Sequence, residues 1–185
     1  MKKLSIQDVT PAARYNRRMG HLDHKAASPT LVHCYILTIS DSRTEATDTS
    51  GLAIFNLLLA EGHKVEGRRI VHDEPEAVRR VVVEQLANPH VQAILTTGGT
   101  GITSRDRTFE TIDALLEKRL DGFGELFRVL SYEEIGPAAM LSRACAGLAQ
   151  GKVIIAMPGS EHAVRLAMTK LVLPELGHMV REAGR

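Results

Sequence analysis

The sequence predicts an α/β protein of three layers, in which a mostly parallel central sheet carries helices on both faces. Two observations lead to this fold class. Short apolar runs typical of buried strands alternate along the chain with longer segments of helical periodicity. Strands separated by helical segments are joined by right-handed crossovers, which make neighbouring strands parallel.

The first strand and helix begin this pattern. Residues 32–39 form an apolar, β-rich run that ends at Ser40-Asp41. A helix follows from about Asp48 and ends before Gly62, a residue type common just after a helix. The apolar residues at helical spacing, which we expect to be buried, are Leu52, Phe55, Leu58 and Leu59.

A second strand, a second helix and a third strand follow. Residues 65–71 form a more polar strand. Pro75 suits the first turn of a helix, and Asn88-Pro89 ends it. The buried stripe of this helix is Val78, Val81, Val82 and Leu86. Residues 91–97 form the third strand and lead into a glycine-rich segment.

The rest of the chain predicts further helices and one short apolar strand over residues 152–157. Apolar residues at helical spacing predict helices over residues 108–118, 122–130, 137–149, 160–172 and 175–182. Residues 1–29 have no sustained periodicity and end in small residues. We expect them to form a flexible N-terminal extension, with one folded domain over residues 30–185.

Composition indicates a globular cytoplasmic protein. Hydrophobic residues make up 44% and charged residues 24% of the 185 residues, which is ordinary for one domain. Six basic residues against two acidic ones stand in residues 1–30, so the remainder is slightly acidic and offers no basic surface to nucleic acid. The two cysteines, Cys34 and Cys145, indicate no disulfide framework. No apolar run approaches the roughly 18 residues of a membrane span.

Three predicted strands end in small or polar residues, and the carboxyl ends of parallel strands meet at one edge of a sheet. These ends are Ser40-Asp41-Ser42, Thr96–Gly101 and Pro158-Gly159-Ser160. Successive glycines such as Gly98-Gly99 let backbone N–H groups turn toward an anion. The spacing matches neither a P-loop nor a dinucleotide-binding fingerprint. The sequence therefore predicts an anion-binding pocket of another kind at this edge.

Asp48 and Asp106 each stand just before a predicted helix and allow two interpretations. Either carboxylate could cap the helix, or both could hold Mg²⁺ on a polyphosphate, since hard cations take oxygen ligands. Glu110 could be a third oxygen ligand or an ordinary acid of the first helical turn. Ser160 is an evident cap residue that could equally offer a donor to a phosphate.

Six motifs in order resemble the MoaB/MogA family of molybdenum-cofactor biosynthesis proteins, with closer similarity to MoaB. The resemblance covers about residues 31–180 and is carried by Thr38-Ile39-Ser40-Asp41, Asp48-Thr49-Ser50-Gly51, Leu95–Gly101 with Arg105-Asp106, Gly122-Phe123-Gly124-Glu125, Leu141-Ser142-Arg143 and Met157-Pro158-Gly159-Ser160.

The resemblance implies that the protein transfers AMP from Mg²⁺-ATP to the terminal phosphate of molybdopterin, releases pyrophosphate, and assembles as a trimer or hexamer. It implies catalytic and Mg²⁺-binding roles for Asp48 and Asp106, with Glu110 as a further Mg²⁺ ligand. The substrate- and phosphate-binding residues that it implies are Ser40, Asp41, Thr97, Gly98, Gly99, Thr100, Gly101, Ser142, Arg143, Pro158, Gly159 and Ser160.

Two departures from the family pattern keep other functions open. Thr49 stands where MogA-like members carry lysine, and Phe109 stands where the family often has proline. The missing lysine favours a non-catalytic molybdopterin-binding or carrier protein, whereas the retained Arg105-Asp106 favours the enzyme. A nucleotide- or phosphate-binding regulatory module unconnected with molybdenum is a third alternative, which the ordered motifs disfavour.

Overall fold

A computed structural model describes residues 28–185, so the predicted N-terminal extension lies almost wholly outside the described residues. Six strands form one sheet: β1 (His33–Ile39), β2 (Lys64–Val71), β3 (Ala93–Thr97), β4 (Lys118–Arg119), β5 (Cys145–Ala149) and β6 (Lys152–Met157). Their order is β2-β1-β3-β6-β5-β4. The first four strands in that order run parallel, and β5 and β4 add an antiparallel edge.

Helices cover both faces of this sheet. They are α1 (Thr49–Ala60), α2 (Pro75–Ala87), α3 (Thr108–Asp113), α4 (Asp121–Ile135), α5 (Glu161–Ala167) and α6 (Leu173–Ala183), with a 3₁₀ helix over Gly136–Leu141 and a π-helical turn over Met168–Val172. One hydrophobic core packs α1, α4, α5 and α6 on the sheet, and a second packs α2 and α3 on the other face. This arrangement confirms the predicted three-layer α/β fold. None of the helices described is both long and apolar enough to cross a membrane.

The apolar sequence of β1 follows from burial on both faces. Successive side chains of a strand point to opposite faces. Ile36 packs in one core and Leu37 in the other, and both are fully buried. A strand covered on both sides is therefore apolar over most of its length instead of alternating.

The predicted buried face of α1 is partly wrong. Leu52 and Leu59 are 46% and 49% exposed, whereas Gly51, Ile54 and Leu58 are buried. The reason is a close approach between α1 and β1. A Cβ atom at Gly51 would lie 2.5 Å from Oγ1 of Thr38, so only glycine can face the sheet there. The helix is rotated to bring this small residue inward.

The helices predicted over residues 137–149 and 108–118 are also partly wrong: the first gives way to β5, and the second ends at Asp113, before β4 begins at Lys118. Small residues of β5 gave no strand signal, yet Gly147 is required because a Cβ atom there would lie 2.4 Å from the Lys118 carbonyl oxygen. Gln150 and Gly151 both have positive φ, 50° and 71°, and join β5 to β6. This two-residue turn is the type I′ connection favoured by twisted hairpins.

Candidate functional site

A cavity of about 490 Å³ lies beyond the carboxyl ends of β1, β3 and β6. After β2 the chain crosses to the other side of β1 to form β3, so the cavity sits at the reversal of strand order where open α/β sheets bind ligands. The structure brings together most of the residues predicted from the sequence. Those that line the cavity are Ser40, Asp41, Thr97, Gly98, Gly99, Thr100, Gly101, Asp106, Ser142, Pro158 and Gly159.

The glycine-rich loop after β3 has the geometry of an anion-binding turn. Gly98 and Gly99 have positive φ, 104° and 64°, and a Cβ atom at Gly98 would lie 2.1 Å from the Ile39 carbonyl oxygen. The N–H of Gly98 is bonded to the Met157 carbonyl at 3.0 Å. The following N–H groups, over residues 99–101, donate to no acceptor in the described part of the chain. Consecutive free N–H groups of this kind suit a phosphate.

Two of the predicted hydroxyl donors are engaged by the protein itself. Thr97 donates from Oγ1 to the Pro158 carbonyl at 2.8 Å, which ties the loop after β3 to the loop after β6. The Ser40 hydroxyl accepts the backbone N–H groups of Ser42 and Arg43 at 3.3 and 3.2 Å. Its own proton remains available to a ligand, whereas the proton of Thr97 does not.

Asp106 presents a carboxylate to the cavity. Its Oδ2 accepts from the backbone N–H and the hydroxyl of Thr103, at 2.9 and 2.6 Å. Helix α3 begins at Thr108, and no side chain caps it, so Asp106 is not the helix cap that the sequence allowed. Its Oδ1 accepts no hydrogen bond from residues 28–185 and is available to a ligand.

Asp48, in contrast, is not among the residues that line the cavity, although its neighbours Thr38 and Ser50 are. It is 2% exposed and caps α1 by accepting the Gly51 N–H at 2.9 Å. It also accepts the hydroxyl of Thr38 at 2.8 Å and that of Ser50 at 3.3 Å. Both carboxylate oxygens therefore accept hydrogen bonds inside the protein, and Asp48 caps α1; its catalytic and Mg²⁺-binding role stays a prediction.

Asp73 is a further carboxylate of the cavity, near Asp106, and the sequence interpretation missed it. Burial raises its pKa, and the nearby carboxylates of Asp106 and Asp41 act in the same direction, against the Thr108 hydroxyl bond that lowers it. Asp73 stands two residues after β2. The rule that ligands bind beyond strand ends could have found it.

Glu110, Arg143 and Ser160 lie outside the cavity. Arg143 donates to the carbonyl oxygens of Gly101 and Asp106, each at 2.8 Å, and also to Glu110. It supports the glycine-rich loop from a neighbouring cavity of about 430 Å³. Glu110 is thereby paired with Arg143, and no group of three His, Cys, Asp or Glu side chains within residues 28–185 is placed to hold a metal ion. Ser160 caps α5 by accepting from the Ala163 N–H at 3.2 Å.

Two arginines line the cavity and complete its charge distribution. Arg105 donates to Asp41 at 2.5 Å and lies 3.7 Å from Glu74, and its hydrogen bond lowers the pKa of Asp41. Arg43 donates from Nη1 to the Thr47 carbonyl at 2.6 Å. The cavity thus combines neutral N–H donors, two guanidinium groups and three carboxylates.

The fold and the cavity define an α/β protein of the type that binds its ligand beyond the strand ends, on a glycine-rich loop flanked by aspartates. The family model described as "Probable molybdopterin binding domain" matches residues 35–178, most of the chain, and the chain belongs to this family.

Named relatives extend the similarity over nearly their whole length. The molybdenum cofactor biosynthesis protein B of Bacillus cereus is 52% identical over 168 residues, which cover 90% of this chain and 99% of that protein. A crystal structure of a molybdenum cofactor biosynthesis protein B superposes with a TM-score of 0.82 at 53% identity, covering 84% of this chain and 98% of the other. The tungsten cofactor synthesizing protein MoaB of Pyrococcus furiosus gives 0.77 at 34% identity, with 85% and 100% coverage.

Proposed function

We propose that this protein works in molybdenum-cofactor biosynthesis, where it binds molybdopterin and transfers AMP from ATP to the terminal phosphate of the pterin. An oxygen of that phosphate attacks the α-phosphorus of ATP, the bond between the α-phosphorus and its bridging oxygen breaks, and pyrophosphate leaves. Family membership supports the pathway and the pterin ligand. The observation that supports group transfer, beyond binding, is the pair of cavity-facing carboxylates on either side of the glycine-rich loop.

These carboxylates lie close to the loop backbone. A Cβ atom at Gly99 would lie 2.8 Å from Oδ2 of Asp73, and one at Gly101 would lie 2.8 Å from Oδ2 of Asp106. The loop backbone therefore passes directly beside both side chains. A phosphate bound on the loop N–H groups is consequently within reach of whatever cation the aspartates hold.

The donor set fits Mg²⁺ held together with substrate phosphates. Mg²⁺ is usually bound by one or two protein carboxylates, with water and phosphate oxygens completing its coordination. Asp73 and Asp106 supply two such oxygen donors, and burial together with the neighbouring carboxylates raises the pKa of Asp73, an effect that a bound cation would oppose. When bound, Mg²⁺ would supply neutralisation of the charge on the pyrophosphate leaving group.

The remaining work falls to the protein chain and is mostly positioning. The N–H groups of the glycine-rich loop orient phosphate oxygens by donating hydrogen bonds, and they neither gain nor lose a proton in the reaction. Arg143 holds this loop in place through its bonds to the Gly101 and Asp106 carbonyl oxygens. Holding two phosphates in line removes most of the entropic cost of bringing them together.

The decisive experiment incubates the protein with molybdopterin, ATP and Mg²⁺ and follows both pyrophosphate and the adenylylated pterin. We expect both products in equal amounts, and neither after addition of a chelator. Tight molybdopterin binding without pyrophosphate release would contradict the transferase and establish a carrier. Binding of nucleotide without molybdopterin would instead support a regulatory module.

We also propose that copies of this chain assemble through the outer face of α4, as a trimer or a hexamer. Val129, Tyr132 and Met140 line one groove of about 400 Å³ and are each more than half exposed. A continuous apolar surface of this kind on a folded protein marks an interface. Val129→Glu should lower the mass measured by light scattering. Leu59→Glu, which changes an exposed leucine on α1 outside this groove, should not. A monomeric wild type at micromolar concentration would refute the assembly.

A further inference from the structure

Two arginine side chains line the cavity, and neighbouring carboxylates balance the positive charge of only one of them. Arg105 is bonded to Asp41 at 2.5 Å and has Glu74 at 3.7 Å, so its charge is largely balanced. Arg43 has no carboxylate within ion-pair distance in residues 28–185, and its side chain donates to the Thr47 carbonyl and the Thr49 hydroxyl. Within the described chain, Arg43 is therefore the cavity cation that is left to a ligand.

The loop between β1 and α1 holds this guanidinium in place. Nη1 donates to the Thr47 carbonyl at 2.6 Å and to the Thr49 hydroxyl at 3.0 Å, and the backbone N–H of Arg43 donates to the Ser40 hydroxyl at 3.2 Å. A guanidinium carries five N–H donors, and the donors on Nε and Nη2 have no acceptor among the described residues. The side chain is thus fixed on one edge and free on the other, which is how arginine presents a fork to an oxyanion.

The charge balance of the site leaves Arg43 as the unpaired positive charge of the cavity. Asp41 and Arg105 neutralise each other, and a divalent cation held by Asp73 and Asp106 would be neutralised by those two carboxylates. A polyphosphate entering the cavity would then meet neutral N–H donors and a single unbalanced positive charge. We propose that Arg43 binds a phosphate oxygen of the ligand and contributes most of the fixed positive charge that selects phosphorylated ligands. This proposal rests on the proposed function for the nature of the ligand.

Titration calorimetry with non-reacting ligands tests it. The probes are inorganic pyrophosphate and ATP, each with Mg²⁺, and separately molybdopterin without ATP. Arg43→Gln keeps a polar side chain of similar reach but removes the charge. Because a hydrogen bond to a charged group contributes about 1.5–3 kcal/mol, the dissociation constant should rise by about tenfold or more. Arg43→Lys should fall between the two, because it retains charge without the fork.

Arg68→Gln is the matched control, since Arg68 is an exposed residue of β2 outside the cavity. It should bind every probe as the wild type does. The affinity of Arg43→Gln should also depend less steeply on salt than that of the wild type, a difference that a merely structural loop residue would not produce. Arg43→Gln and Arg68→Gln should both melt like the wild type, because Arg43 is only partly buried and Arg68 is exposed.

The three probes separate the possible outcomes. Weakened pyrophosphate and ATP binding places the nucleotide phosphates on Arg43, and weakened molybdopterin binding alone places the pterin phosphate there; either supports the proposal. Unchanged affinity for all three probes overturns it, as does a wild type that binds none of them. If binding depends on Arg43 but no adenylylated product ever forms, the transferase function fails while the role of Arg43 stands.

Discussion

Asp48 and Asp106 should separate cleanly when each is changed to asparagine. In Asp106→Asn the amide oxygen can keep the two bonds from Thr103, and the amide nitrogen takes the place of Oδ1, which faces no described partner. The stability change should be within about 0.5 kcal/mol. The cavity nevertheless loses one of its two ligands for a cation, so AMP transfer should fall by about a hundredfold or more.

Asp48→Asn should do the reverse. The buried carboxylate accepts from the Gly51 N–H and from two hydroxyls, and an amide nitrogen cannot replace an oxygen that accepts from a backbone N–H. The amide must therefore place its nitrogen toward Thr38, whose hydroxyl can turn. Losing part of this buried network and cap should cost about 1–2 kcal/mol. In a protein of this size that lowers the melting temperature by about 2–8 °C, with transfer reduced no more than severalfold.

Thermal melting and pyrophosphate release, measured on the same preparations, decide the matter. Asp106→Asn should melt normally and be inactive, and Asp48→Asn should melt early and be active below its transition. An Asp48→Asn variant with normal melting and no activity would refute this reasoning and restore the catalytic role implied by the family resemblance. A fully active Asp106→Asn variant would show that the reaction does not require the Asp106 carboxylate.

Three further predictions follow from other contacts. Gly98→Ala should cost about 2 kcal/mol or more and weaken ligand binding, because a Cβ atom would overlap the Ile39 carbonyl at positive φ; a normal melting temperature would contradict this. Thr96→Val should raise the melting temperature by about 2–4 °C, since the buried Thr96 hydroxyl has no hydrogen-bond partner among residues 28–185, and calorimetry showing a loss would refute it. Asp73→Asn should abolish transfer yet stabilise the protein at neutral pH. Its raised pKa means that the folded state loses stability as pH rises through the carboxyl range, so the gain seen in melting curves should shrink as pH falls.

The parallel part of the fold could be predicted because its physical signals are strong. Strands buried on both faces are apolar over most of their length, and the helices between them show a clear stripe, as Val78 and Val82 do on α2. The antiparallel edge gave no such signal. Gly147 is in β5 because another strand passes 2.4 Å from where its Cβ would be, and such a requirement exists only once the chain is folded.

The part of the site that depends on backbone conformation could be predicted from the sequence. The part that depends on the direction of a side chain could not. The glycine-rich loop is recognisable because positive φ at Gly98 and Gly99 demands glycine. A carboxylate before a helix has the same sequence signal whether it turns inward as a cap or outward to a ligand. Only the structure shows that Asp48 does the first, and that Asp73, which precedes no obvious motif, lines the cavity.

The position of Arg43 bears on whether the missing lysine at position 49 favours a carrier or an enzyme. Thr49 stands where MogA-like members carry lysine, which by itself suggested a site with one positive charge too few for a nucleotide. The Arg43 guanidinium lies 3.0 Å from the Thr49 hydroxyl, in the space beside that position. A lysine at position 49 would place a second positive charge beside this guanidinium. If Arg43 binds phosphate as proposed, a different residue of the same loop supplies the charge, and the absence of lysine at position 49 does not by itself favour a carrier over an enzyme.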